Sequence, residues 1–282
     1  MKWYSKYLSV YEKPFEAAPA ATIATIKENL QQLQNDQPLV SVVVIAYNEG
    51  KRLLGCLWSL SESQCKYPVE IIGVNNNSKD NTEDVYKAVG LPYYNELKQS
   101  PGYARLCGLN HARGKYYICI DADTLYPPGY IELMVSHLEQ PGVAGVYSLW
   151  SYMPDEKHSW LGVKLYELLR DIHLRIQSAR RPELSVRGMV FGYHTEWGRQ
   201  VGFPVHIKRG EDGMMALGLK KYGRLFFLRN RAARVITGYG TVGKDGSFFN
   251  SFIKRAFANL KGLKYYFTKE NHYKDRKENI IE

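Results

Sequence analysis

The chain has little that would carry it into or across a membrane. Its longest apolar run, "LVSVVVIAY" (39–47), is less than half of the ~20 residues that a bilayer-spanning helix needs. The opening stretch "MKWYSKYLSVYEKPF" alternates polar and aromatic residues and lacks the apolar core of a secretory signal. Cysteine is scarce: four in 282 residues, Cys56, Cys65, Cys107 and Cys119, with no CxxC pair. That excludes a disulfide scaffold and suits reduced, mostly buried thiols in a cytoplasmic protein. Acidic residues are outnumbered, 28 to 38, and the formal charge of +10 favours polyanionic partners such as nucleotides, nucleic acid or anionic lipid. No recognisable nucleic-acid motif accompanies that charge, so nucleic acid is not expected as a partner.

What is present reads as alternating strand and helix. "LVSVVVIA" is a continuous β-branched run, as in a parallel strand buried on both faces. "KRLLGCLWSLSES" follows with helical spacing, then "VEIIGVN" as a strand and "NTEDVYKAVG" as a helix closed by Gly90. "GYARLCGLNHARG" and "KYYICID" repeat the alternation. This order predicts a doubly wound α/β sheet with its ligands at the carboxyl ends of the strands. Further on, "VAGVYSLW" and "SVRGMVFGY" read as strands flanking a long helix, "WLGVKLYELLRDIHLRIQSA". "EDGMMALGLKKYG" reads as a helix, and "RLFFL" and "ARVIT" as short strands. Residues 1–37 look like an N-terminal arm, and "SFFNSFIKRAFANLKGLKYYF" (247–267) like a basic aromatic helix leading into a charged tail. Because it interleaves aromatic and basic residues, that helix is a candidate for peripheral contact with the inner face of a membrane.

Within "CIDADTLYPP" (119–128), Asp121 and Asp123 stand one residue apart at the end of a strand. Residues i and i+2 of extended chain face one side, so both carboxylates can reach one site. Unneutralised, the pair would repel and one acid would take up a proton. A divalent ion removes that penalty, and oxygen ligands suit Mg²⁺ or Mn²⁺. The alternative is a solvated turn at a strand end. An EF-hand does not fit, because Leu125 and Tyr126 stand where an oxygen ligand and a glycine are required.

Four features fall in order around this pair: "SVVVIAYNE", "IIGVNNNSKDNT", "GYARLCGLNHARGKYYICIDAD" and "RGEDGMMALGLKKYG". Their order and spacing over residues 38–225 resemble the family 2 glycosyltransferases, nucleotide-sugar enzymes of the GT-A fold. The resemblance implies a mixed doubly wound sheet in a domain over residues 38–246. Residues 38–123 would form its nucleotide-binding half and 124–246 its acceptor half. It implies that Ala46, Tyr47, Asn48, Glu49 and the turn Asn75–Asn77 border the base and ribose of a nucleoside diphosphate. Arg105 would lie near the diphosphate or donor sugar, and Asp121 would face the ribose or donor sugar. Asp123 would hold the metal, and Asp212 would be the catalytic base. Asn76 stands where the family usually has an aspartate that reads the nucleobase. Asn donates as well as accepts, which leaves both UDP- and GDP-linked donors open. The QxxRW motif of polymerising members is absent from the sequence, which points to transfer of a single sugar.

The expected reaction is metal-assisted, inverting transfer to a hydroxyl of a glycan or lipid-linked acceptor, in cell-surface polysaccharide synthesis. Glu211 is a further candidate for contact, or simply a helix-start acid that complements the dipole. Trp197 could stack on an acceptor sugar or pack in the core. "GYGTVGKDG" (238–246) contains GxGxxG and nearly completes a Walker A loop, but Asp245 stands where Ser or Thr belongs. A glycine loop bringing Lys244 to a phosphate is the functional reading, an ordinary connection the plainer one. His194 and His206 carry no assignment. The rival readings are a sugar-phosphate nucleotidyltransferase, which "AYNEGKRL" matches poorly, and a non-catalytic sugar-nucleotide or membrane-binding module.

Overall fold

The computed structural model of the chain describes residues 2–154, 159–239 and 280. After α1 (Ala20–Leu33), strand β1 (Val40–Ala46) is buried at every position but Ile45. β2 (Val69–Asn75) is buried throughout and follows α2 (Leu53–Ser61). Next come α3 (Thr82–Ala88), β3 (Tyr93–Asn95), α4 (Pro101–His111) and β4 (Tyr116–Asp121). A tight turn leads from β4 to β5 (Thr124–Leu125), followed by α5 (Tyr130–Leu138), β6 (Val143–Ser148), β7 (Trp150–Tyr152) and α6 (Trp160–Arg180). The described order ends with β8 (Phe191–His194), α7 (Thr195–Val201), α8 (Glu211–Leu219), β9 (Arg224–Leu228) and β10 (Val235–Thr237).

Seven strands form the central sheet in the order β3-β2-β1-β4-β8-β6-β9. β1 pairs in parallel with β2 on one side and β4 on the other. The connections therefore diverge from β1 and open a crevice at the carboxyl ends of β1 and β4, where α/β sheets bind ligands. β8 runs antiparallel to both β4 and β6, which makes the sheet mixed. A small sheet, β5-β10-β7, stands beside Asp123.

Three expectations are refined. The stretch "VAGVYSLW" is not one strand: it breaks at Leu149, so that β6 serves the central sheet and β7 the small one. Most of "SVRGMVFGY" is not extended, because Pro182–Ser185 and Gly188–Val190 form 3-10 turns and only Phe191 onward joins the sheet. Residues 2–37 are packed into the body rather than standing off as an arm. Tyr4, Tyr7 and Tyr11 are buried against Leu125, Met153 and Ile236. At the end of α1, the Gln34 amide both donates to the Ile71 carbonyl (2.7 Å) and accepts from the Ile71 N–H (3.0 Å).

Candidate active site

Three elements converge on one buried guanidinium. α4 starts cleanly: Pro101 occupies its first turn and the Ser100 hydroxyl accepts from the Tyr103 N–H at 3.1 Å. One turn on, Arg105 is aimed at the end of β4, where its Nη2 donates to Asp121 Oδ1 at 2.6 Å. α8 begins after Gly210, whose φ of 101° is a conformation that glycine adopts without strain. That turn sets Asp212 in the first helical turn, with Oδ1 2.9 Å from Arg105 Nε. The contact is an ion pair without hydrogen-bond alignment. Side-chain exposure falls from 34% at Asp121 to 15% at Asp212 and 2% at Arg105. The guanidinium thus lies behind the two acids and is not itself presented to the crevice.

Burial raises the pKa of Asp212, Arg105 opposes that rise and the Asp121 charge adds to it, so the carboxylate is a stronger base than a free aspartate. Gly188 donates its backbone N–H to the same carboxylate. Neighbouring Glu211 is pushed up to about 8 by burial first and then by the Asp212 charge. It therefore holds its proton more tightly than a free glutamate does.

Asp123 sits in the β4–β5 turn. Its carbonyl accepts from the Tyr11 hydroxyl at 2.7 Å, and from the Gly238 N–H at 3.4 Å. The Thr124 hydroxyl donates to its Oδ1 at 3.1 Å. The Tyr126 hydroxyl accepts from the Asp121 N–H (3.1 Å) and donates to the Met189 carbonyl (3.0 Å), fixing the strand end. Burial, then the charge of Asp121, pushes the Asp123 carboxyl up to about 6, while Arg52 draws it back. Burial, then the charge of Asp123, pushes Glu49 up to about 8, although Arg52 lies 2.6 Å away. This surplus of negative charge is what a divalent cation relieves. No group of three or more His, Cys, Asp or Glu side chains converges as a metal cage among the described residues. The buried Asp123 carboxylate, with Glu49 close enough to be raised by its charge, is a donor set that fits Mg²⁺ or Mn²⁺ held together with substrate phosphates and water.

The other lip of the crevice is formed by the turns after β1 and β2. Ala46 is buried, while Tyr47 is 47% exposed. Asn48 and Asn77 take left-handed backbone angles, φ 53° and 56°, which Asn tolerates better than most residues. The turns are laced together: the Asn48 N–H donates to Ser78 Oγ (3.0 Å), and Asn48 Oδ1 accepts from the Lys79 N–H (2.8 Å). Asn76 corrects the sequence argument about the nucleobase. Its buried amide donates to the carbonyls of Glu96 (3.1 Å) and Lys98 (2.8 Å). Both amide hydrogens are spent on that loop, so the side chain can meet a ligand only through its oxygen, as an acceptor. The donor character that set Asn apart from Asp is not on offer.

Trp197 does not join the site. β8 runs antiparallel to β4 and pairs His194 with Tyr116, so α7 begins at the end of the sheet opposite Asp121. There Trp197 stacks between His194 (3.9 Å) and Tyr222 (5.4 Å). His206 is exposed in the loop before α8. Lys244 and the basic aromatic stretch 247–267 lie outside the described residues. Sequence reasoning missed Tyr11, Arg52, Tyr126 and Gly188. Only Arg52 left a signal, the three-residue spacing from Glu49 that brings opposite charges together on a helical turn.

The central sheet defines a GT-A-type fold. It aligns with a mannosyltransferase, PcManGT, of Pyrobaculum calidifontis, solved in complex with GDP-Man and Mn²⁺, at a TM-score of 0.54 and 18% identity over 83% of this chain and 68% of that one. It also aligns with TarS of S. aureus, solved in complex with UDP, at a TM-score of 0.52 and 18% identity over 71% of this chain and 60% of that one. The profile of Glycosyl transferase family 2 matches residues 41–194, more than half of the chain, and the chain belongs to that family. Among curated relatives, an uncharacterized glycosyltransferase of Rickettsia prowazekii, RP339, is 28% identical over 152 residues, 48% of this chain and 48% of the relative. The chain spans about half the length of the curated relatives that it matches first.

Proposed function

We propose that the protein transfers a single sugar from a nucleoside-diphosphate sugar to a hydroxyl acceptor by metal-assisted displacement with inversion. The observation that carries this reading is Arg105, which joins Asp121 at the end of β4 to Asp212 at the start of α8. One guanidinium thereby sets a base beside the crevice where α/β sheets take nucleotides. The exposed ring of Tyr47 offers a face for the nucleobase, and the fixed turns Asn48–Glu49 and Asn75–Asn77 border it. A divalent ion held by Asp123 with the diphosphate oxygens would neutralise charge growing on the leaving group. The complexes with GDP-Man and Mn²⁺ and with UDP in structural neighbours support that donor class.

Asp212, its basicity raised by burial, accepts the proton of the acceptor hydroxyl as the new glycosidic bond forms. Arg105 keeps Asp121 as counter-ion once Asp212 is protonated, so the buried cation is never left bare. Asp121, engaged by Arg105, is not free to act as a covalent nucleophile, and a single in-line displacement inverts the anomeric centre. Glu211, buried at the start of α8, contributes packing and a polar contact there.

The test is nucleotide release from a panel of UDP- and GDP-sugars, with Mn²⁺ or Mg²⁺ and with EDTA, alongside nucleotide binding. Release from one donor, abolished by EDTA and by Asp123→Ala, is the expected result. Neither release nor metal-dependent binding across the panel would sink the reading, and retention in the anomeric NMR spectrum of the product would sink the inverting step.

A further inference from the structure

α6 carries an apolar strip that nothing described in the protein covers. Leu161, Leu165, Leu168, Leu169, Ile172 and Ile176 are exposed by 40 to 69%. At 100° per residue they fall within an arc of ~100° and run ~22 Å along the helix. The opposite side of α6, with Val163, Tyr166, Arg170 and Leu174, is buried against the domain. A contiguous strip of this kind on a folded surface marks an interaction site, unlike singly scattered apolar residues.

The charges beside the strip identify its partner. The acidic side chains of α6 are turned away and neutralised. Glu167 is 4% exposed, accepts from the Tyr152 N–H at 2.8 Å and pairs with Lys164 at 2.8 Å. Asp171 pairs with Arg170 at 2.7 Å and also with Arg234. Exposed basic residues border the strip, Lys164 and Arg175 on one side and Arg180 on the other. Trp160, 66% exposed, stands at the start of the helix, beside a cavity of about 360 Å³ that Lys2 and Tyr4 help to wall. No helix among the described residues is long and apolar enough to cross a bilayer. An apolar strip with basic borders and an aromatic end is the make-up of a helix that lies in the plane of a lipid interface.

We propose that α6 is a membrane-docking surface, with its Leu/Ile strip in the boundary between headgroups and acyl chains of an anionic bilayer, and the exposed Arg175 on lipid phosphate beside it. A second copy of this chain would bring no acid from its own α6 to this face, because α6 has turned its acids inward. The strip is also separate from the C-terminal stretch to which the sequence alone had drawn attention. α6 follows β7, and β7 and β5 both pair with β10. Docking would therefore bring the small sheet beside Asp123 toward the lipid.

The test is flotation of the full chain with vesicles of phosphatidylglycerol and phosphatidylcholine, against vesicles of phosphatidylcholine alone. Expected is recovery with the anionic vesicles, weakened by salt. Leu165→Glu combined with Ile172→Glu should cut it by about ten-fold or more, and Arg175→Glu by less. Melting temperatures should change little, because Leu165 and Ile172 are 53% and 45% exposed. Quenching of fluorescence by brominated acyl chains, lost in Trp160→Phe, gives a second readout that does not depend on the glutamate variants. Undiminished flotation of the double variant, with quenching unaffected by Trp160→Phe, would overturn the proposal and move the contact elsewhere in the chain. Failure of the unaltered chain to float would overturn it too. So would glutamate variants that turn a dimer into a monomer while leaving flotation intact, because the strip would then be a contact between copies.

Discussion

Gly188 lies so close to Arg105 that a β-carbon built on it would overlap Nη2 of the guanidinium and stand 2.6 Å from Asp212 Oδ2. The ion pair at the centre of the site therefore depends on a residue with no side chain. Gly188→Ala is expected to push Arg105 off Asp212, destabilising the protein by about 1–3 kcal/mol as an overpacked core does. A displaced base of this kind costs turnover by up to about a hundred-fold. Thermal melting and kcat on the same preparation check both, and an alanine variant that keeps both would show that Arg105 can turn aside freely.

Asp212→Asn keeps the shape of the acid and removes its capacity to take a proton. Turnover is expected to fall by about 10²–10⁴, with the affinity for nucleotide and metal unchanged, because Asp123 and the β1 and β2 turns are untouched. Equilibrium nucleotide binding beside steady-state kinetics separates these terms. Unchanged turnover would remove Asp212 from the role of base.

The acid cluster predicts an unusual pH response. Glu49 and Glu211 are pushed up to about 8 and Asp123 to about 6. The folded protein holds these protons more tightly than the unfolded chain does. The stability the two glutamates lend is complete below their ordinary value of 4.5 and is lost as pH rises through about 8; that of Asp123 is complete below 3.8 and is lost through about 6. His137, His173 and His194 act in the opposite sense: burial lowers each from 6.5, so their share is complete above pH 6.5 and is lost as pH falls below it. The protein free of metal and nucleotide is expected to melt higher near pH 6.5 than at pH 8, by roughly 2–4 °C per kcal/mol. Mn²⁺ with a nucleoside diphosphate should raise the melting temperature more at pH 8, where protons no longer compete for Asp123 and compete less for Glu49. Calorimetry at the two pH values, with and without ligands, decides it, and a larger metal effect at the lower pH would contradict the assignment.

Tyr11→Phe removes one hydroxyl, the donor to the Asp123 carbonyl. A loss of about 1 kcal/mol in stability is expected, together with weaker metal-dependent nucleotide binding, since the turn that carries Asp123 loosens. Binding that is unaffected would make Tyr11 a packing residue alone.

The parts of the site readable in the sequence were those carried by local pattern. The β-branched run of β1 and the apolar run before Asp121 each pointed to a buried strand ending in polar residues, and both strands form and end there. Asp212 was singled out by the resemblance, since acids at a helix start suggest by themselves only a cap, and the helix does place it in its first turn. What escaped depended on partners far apart in the chain. Tyr11 and Asp123 are 112 residues apart, and nothing near "SVYEKP" marks that tyrosine as a clamp. Gly188 matters only because α4 and α8 deliver Arg105 and Asp212 to it. Trp197 misled because a helix start can open at either end of a sheet, and the antiparallel sense of β8 was not visible in "SVRGMVFGY". Asn76 misled because the carbonyls that take up its amide hydrogens belong to a loop some twenty residues on.

The contact between the first dozen residues and β10 also has a bearing on the order of events at the ribosome. Tyr4, Tyr7 and Tyr11 find their burial against Leu125, Met153 and Ile236, so these tyrosines must wait for residues made more than a hundred positions later before they can settle. Until residue 238 has emerged, the Asp123 turn lacks one of its two backbone anchors, and the tyrosines remain uncovered aromatic surface on a nascent chain. Pairing across such sequence distance is slow and leaves intermediates prone to aggregate. The edge of the domain that carries Asp123 thereby closes late, only after the chain has been made as far as Gly238.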